Sequence, residues 1–213
     1  MKREHWQFID ISPLVSEATA VFPGDTPLSR EVLLDIHRGA HLHLTTLKAT
    51  GHIGAHADAP IHYHANGQGI DQRSLHYYYG ACQVVEVKCG PGARILPKDV
   101  KTPIRAPRVL FRTGSFPDPQ NWRTDFNSLS PELVDELHQK GVVLVGIDTP
   151  SIDPADSKHL ESHQALFRND QSVLEGLDLS GVRDFDRNYV LSAFPLKLKG
   201  FDAGPVRAVL ILE

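Results

Sequence analysis

The stretch GHIGAHADAPIH, residues 51–62, places His52, His56, Asp58 and His62 at even positions only. In an extended chain alternate side chains share a face, so all four would stand on one side. A helix would align His52 with His56 but turn Asp58 about 200° away from His56. Gly54 and Pro60 also oppose a helix. An extended run is therefore expected. Gly54, Ala55, Ala57 and Ala59 are small and leave room for the backbone to pass close to a bound ion. Two imidazoles and a carboxylate suit zinc. Iron, manganese, cobalt or nickel would accept the same donors, and geometry decides among them. The carboxylate of Asp58 could bridge two ions. His62 lies further on, where it could reach a water instead of an ion, the place of a general base. The competing reading is a histidine-rich loop held by ordinary hydrogen bonds.

Outward from this stretch, short apolar runs rich in β-branched residues alternate with turn signals. Strands are expected at Val32–Ile36, Leu42–Leu47, Cys82–Val87, Val109–Phe111, Val142–Ile147, Tyr189–Leu191 and Val206–Leu212. Val142–Ile147 is apolar nearly throughout, which predicts burial on both faces. One helix is well marked: Ser130 as N-cap, Pro131 as first residue, an apolar face of Leu133, Val134 and Leu137, and Gly141 as the stop. A second is expected from near Ser157 to about Arg168. The pattern predicts an α/β fold with a mixed sheet and few helices, and no linker or repeat divides residues 1–213, so one domain is expected.

Composition narrows the function. Of 213 residues, 41% are hydrophobic and 23% charged, with a net charge of −4. That is ordinary globular composition without the basic footprint of a nucleic-acid binder. No stretch approaches the roughly 20 apolar residues of a membrane span, and the polar start Met1–Asp10 lacks a signal-peptide core. Two cysteines, Cys82 and Cys89, are too few for a disulfide scaffold and suit free thiols in the cytoplasm.

Twelve histidines are present. A second polar cluster, His159-Leu160-Glu161-Ser162-His163, is followed by Glu175. On one straight helix His163 and Glu175 would lie about 18 Å apart, but Asn169-Asp170 offers a break after which the chain can fold back. Spacing alone leaves both residues open between a metal site and a solvated helix. Asp148, ending a buried strand, reads as a hydrogen-bonding turn anchor. His41 and His43 alternate on a strand and read as support beside the site. His5, His37, His64, His76 and His138 read as surface or packing residues, and Tyr77, Tyr78 and Tyr79 as packing. Nucleophile elbows, phosphate-binding glycine loops and dinucleotide fingerprints are absent from the sequence.

The run His52-x-Gly54-x-His56-x-Asp58-x-Pro60-x-His62 resembles the signature of the metal-dependent cyclase-like hydrolases. Phe22-Pro23-Gly24-Asp25-Thr26-Pro27, Gly146-Ile147-Asp148-Thr149-Pro150-Ser151, Pro195-Leu196-Lys197 and Asp202-Ala203-Gly204-Pro205-Val206-Arg207-Ala208 extend the likeness and favour the arylformamidase branch. The resemblance implies a swivelling β/β/α domain, a homodimer, and two zinc ions. His52, His56 and Asp58 would hold the first ion, with Asp58 bridging. His163 would bind the second, and Glu175 would contact both. His62 would give and take the proton, and Phe22 would contact substrate, standing where Trp is common. Gly204 stands where many relatives have Ser. The implied reaction is hydrolysis of N-formyl-L-kynurenine to L-kynurenine and formate. Hydrolysis of another aryl or cyclic amide such as isatin, or a non-catalytic metal- or ligand-binding role, are the alternatives.

Overall fold

The computed structural model describes residues 7–212; His5 and most of the polar N-terminal start lie outside them. The strands are β1 (Gln7–Asp10), β2 (Ser29–Leu34), β3 (Leu44–Lys48), β4 (His56–Asp58), β5 (Tyr79–Glu86), β6 (Arg94–Ile95) and β7 (Arg108–Arg112). They continue with β8 (Ser128–Leu129), β9 (Leu144–Ile147), β10 (Ser172–Glu175), β11 (Tyr189–Ser192), β12 (Ala203–Pro205) and β13 (Val209–Leu212). The helices are α1 (Pro131–Gln139) and α2 (Glu161–Arg168). Nine strands form one mixed sheet in the order β1-β13-β11-β5-β7-β9-β10-β4-β12. Its centre, β5-β7-β9-β10, is parallel. The flanking pairs are antiparallel.

Alternation along the central strands divides the core between two faces. Val85, Val109, Phe111, Val145, Ile147 and Val173 pack with Leu133, Val134 and Leu137 of α1 and with Ala165 and Leu166 of α2. Val84, Leu110, Leu144 and Leu174 face the other way and meet Leu191 of β11, Leu210 of β13 and Ala57 of β4 in one cluster. Strands from opposite ends of the sheet share that cluster because the sheet curls over it.

α1 forms as expected, with the Ser130 hydroxyl accepting from the Leu133 amide at 3.2 Å. All four residues of β9 are buried. α2 starts four residues later than expected, at Glu161. Leu160 adopts a left-handed backbone (φ 48°), which ends the approach of the preceding loop, and the Ser157 hydroxyl accepts from the Leu160 amide. Asp170 (φ 46°) makes the expected break, and β10 returns beside β9. The extended run expected across residues 52–62 is regular strand only at His56–Asp58, because backbone partners on both sides, β10 and β12, exist only there. Pro60–His62 turn as a short 3-10 segment.

β2 and β3 form a separate two-stranded hairpin whose strand residues are all exposed. His41 and His43 lie in the connection of this hairpin, and His43 faces Asp35 at 3.5 Å instead of the histidine cluster. Tyr77 and Tyr78 are buried, whereas Tyr79 is exposed and stacks on Phe194.

Candidate metal centre and active-site cleft

Sheet register builds the site. His56 and Asp58 are two residues apart on β4 and so point the same way. Glu175 on β10 stands directly opposite His56. His163 reaches in from the first turns of α2, and His52 from the turn before β4. His56, Asp58, His163 and Glu175 are all at least 97% buried.

The donor atoms converge. Asp58 Oδ1 lies 2.9 Å from His52 Nδ1 and 3.4 Å from His56 Nε2. Asp58 Oδ2 lies 3.3 Å from His163 Nε2. Glu175 spans both histidines, with Oε2 at 3.4 Å from His56 Nε2 and Oε1 at 3.3 Å from His163 Nε2. Among the described residues, the ligand atoms of His52, His56 and Asp58 form one compact group, and those of Asp58, His163 and Glu175 another, each within 4.8 Å. Asp58 belongs to both.

This arrangement fits a metal. His56 Nε2 and Asp58 Oδ1 are buried and, despite close polar neighbours, make no well-aligned hydrogen bond, a costly state unless something else satisfies them. The far nitrogen of His56 is fixed by the Gly54 carbonyl at 2.9 Å, which leaves Nε2 to face the group. In the ion-free chain, burial disfavours charge on these rings, but the adjacent carboxylates outweigh it. The imidazole of His56 is pushed up to about 10 and that of His163 well above its ordinary value. Burial likewise opposes charge on Asp58, yet His163 and His52 hold its carboxyl well below the usual range.

His62 stands at the edge, its side chain one-third exposed. Its ring centroid lies 4.4 Å from that of His52 and 6.2 Å from that of His163. Asp202, in the turn before β12, puts Oδ2 3.2 Å from His62 Nδ1 and 3.1 Å from His52 Nε2.

These groups open into a cleft of about 640 Å³ lined by Phe22, Phe116, Trp122 and Pro119 as well as the cluster. Phe22 and Trp122 meet edge to face at 4.6 Å. The Trp122 indole nitrogen is buried without a partner. An indole, that of Trp122, thus stands beside Phe22 in the same wall. Asp148 is the anchor its position suggested: it accepts from the Thr113 and Gly114 amides and the Thr113 hydroxyl. Gly204 pairs across from Ala57, and a β-carbon there would sit 3.1 Å from both the Leu196 carbonyl and Pro195. Serine would require those neighbours to yield.

Sequence reading did not single out Asp153, Asp202 or Trp122 as site residues. Asp202 carried a signal, since it opens one of the family-like motifs. Asp153 and Trp122 carried none: Asp153 meets His163 only through the fold of the loop before α2, and Trp122 meets Phe22 far along the chain.

Residues 9–154 match the model of a family described as "Putative cyclase". A kynurenine formamidase from Bordetella petrii is 43% identical over 204 residues, covering 94% of this chain and 96% of that protein. One from Bordetella pertussis is 44% identical over the same shares. Among solved structures, one described as a potential metal-dependent hydrolase with cyclase activity superposes with a TM-score of 0.83 at 24% identity, over 97% of this chain and 98% of that one. An isatin hydrolase bound to the product analogue thioisatinate gives a TM-score of 0.81 at 17% identity, over 97% and 92%. These two establish the fold. With a family model spanning well over half its length and such identity along nearly all of it, the chain belongs to the cyclase family of hydrolases.

Proposed function

We propose that the protein hydrolyses N-formyl-L-kynurenine to L-kynurenine and formate, as a step of tryptophan degradation by the kynurenine pathway, with two zinc ions per subunit. The observation that carries the metal reading is the pair of buried donor atoms without a well-aligned hydrogen bond, His56 Nε2 and Asp58 Oδ1, inside a ring of imidazoles and carboxylates. The near-full-length formamidase relatives support the substrate.

In this reading His52, His56 and Asp58 would hold one ion, and Asp58, His163 and Glu175 the second. When bound, the metal acidifies water and polarises the formyl oxygen. His62 performs the proton transfers. Its Nδ1 faces the Asp202 carboxylate, which fixes the proton there and leaves Nε2 to take a proton from the attacking water. The same nitrogen returns it to the departing aryl amine. Phe22 and Trp122 flank the aryl ring, and the apolar cleft excludes bulk water around it.

Residues 1–213 are read as a single hydrolase domain, since one nine-stranded sheet carries both the first and last described strands. We read the protein as a homodimer. The β2–β3 hairpin exposes Leu33, Leu34, Leu44 and Leu47, and an isolated two-stranded ribbon is marginal in water without cover. Cytoplasmic residence fits the two free cysteines. No helix among the described residues is long and apolar enough to cross a membrane.

The deciding experiment is turnover of N-formyl-L-kynurenine by zinc-loaded protein, beside isatin and a chelated control. Chelator-sensitive release of kynurenine is expected. His62→Ala should retain both ions and lose about 10²- to 10⁴-fold in kcat. Turnover of isatin alone would move the substrate, and full activity of either the chelated protein or His62→Ala would refute the mechanism.

A further inference from the structure

Asp153 follows β9 in the loop that leads to α2, and it is completely buried. Its Oδ2 accepts from the His163 amide at 3.1 Å and from His163 Nδ1 at 2.8 Å. Its Oδ1 accepts from the Ser162 amide at 3.1 Å and lies 3.1 Å from Arg94 Nη1. Arg94, on β6, is itself held by the Leu129 carbonyl, the Ser162 hydroxyl and the Glu161 carboxylate.

Capping α2 explains only part of this. An N-cap needs an oxygen for the Ser162 and His163 amides, and a neutral serine or asparagine supplies one. A buried carboxylate costs far more to desolvate. What the helix does not need is the contact to the imidazole. Because a carboxylate only accepts, His163 Nδ1 must carry the proton in that contact. Nε2 then points between Asp58 Oδ2 and Glu175 Oε1, each 3.3 Å away, and it is the nitrogen that gives up its proton to offer a lone pair to a cation there. His56 is oriented by a backbone carbonyl, and the Asp202 beside His52 is half exposed. Among the cluster histidines of the described residues, His163 is held by a fully buried charge.

We propose that Asp153 is a positioning residue. It fixes the tautomer and ring plane of His163 so that Nε2 presents its lone pair to a divalent cation shared with Asp58 and Glu175, and Arg94 compensates its charge. The proposal rests on reading Asp58, His163 and Glu175 as metal ligands. Partners that orient a ligating histidine in this way are worth about 10- to 100-fold in metal affinity.

The test is zinc binding by metal-stripped protein, measured by competition with a chromophoric chelator, with urea unfolding of each variant alongside. Asp153→Asn should keep the first equivalent as tight as the parent and weaken the second about 10- to 100-fold. In a His163→Ala background the same substitution should cause no further loss of zinc affinity, although it still alters the helix cap and thus the urea midpoint. A purely structural residue would predict equal losses in both backgrounds, and that result overturns the proposal. So does an Asp153→Asn protein that binds both equivalents like the parent. A parent whose second equivalent is absent, or is left intact by His163→Ala, overturns the ligand reading and the role of Asp153 with it. Should Asp153→Asn not fold, long-range ¹H–¹⁵N spectra of the zinc-loaded parent decide. Protonated Nδ1 with metal-bound Nε2 at His163 is expected, and the opposite tautomer is refuting.

Discussion

Gly176→Ala should damage stability and activity together, for a reason visible at one point of close approach. Gly176 follows Glu175 and has φ +64°. An added β-carbon would overlap the carbonyl oxygen of Gly54 and lie 3.0 Å from its carbon. Gly54 sits between His52 and His56, so relief must separate the end of β10 from the turn that carries two site histidines. The left-handed backbone costs a non-glycine residue about 1–2 kcal/mol, and overpacking adds about 1–3 kcal/mol. The sum, about 2–5 kcal/mol, corresponds to a melting temperature lower by roughly 4–20 °C for a chain of this size. Gly141→Ala is the control. It has φ +82° but nothing within 4 Å of the new carbon, so only the conformational cost applies, roughly 2–8 °C. Shifting Glu175 by about 1 Å should also cost on the order of 100-fold in kcat/KM, a loss that Gly141→Ala avoids. Calorimetry and steady-state kinetics on the two variants suffice. Equal melting temperatures with unchanged kcat/KM in Gly176→Ala would refute the close approach.

The ion-free protein should lose stability as pH rises. His56 is raised from 6.5 in the unfolded chain to about 10 when folded, so its contribution is full below pH 6.5 and disappears as pH climbs through about 10. Urea midpoints of chelated protein should fall across that window, and a flat profile would contradict the imidazolium–carboxylate pairing. Trp122→Ala should raise KM for N-formyl-L-kynurenine roughly 10-fold with a smaller change in kcat, since it removes the face against which Phe22 rests; an unchanged KM would remove Trp122 from the substrate wall. Leu47→Asp, at a hairpin position 68% exposed, should turn a dimer into monomers in sedimentation without unfolding the sheet, whereas an intact dimer would place the interface elsewhere.

The sequence by itself determined what depends on near neighbours. Two-residue spacing put His56 and Asp58 on one face of a strand, Ser130 and Pro131 opened α1, and Asn169-Asp170 broke the chain where it turns back. Alternating apolar runs located most of the central strands, because burial imposes a period that propensity alone does not. The extended run across residues 52–62 was foreseen, but not that regular strand is confined to His56–Asp58, because pairing with β10 and β12 sets those bounds. β10 escaped because nothing local marks Ser172–Glu175 as sheet instead of continuing helix. Only the tertiary structure decided that Glu175 faces His56, through the β10–β4 register. It also decided that Asp202 reaches His62 across 140 residues of chain, and that Asp153 grips His163 from outside the ligand group. Composition and spacing state which donor atoms are available. Which of them meet is settled by strand order and backbone pairing, because a convergent site joins residues far apart in sequence, where local periodicity carries no information.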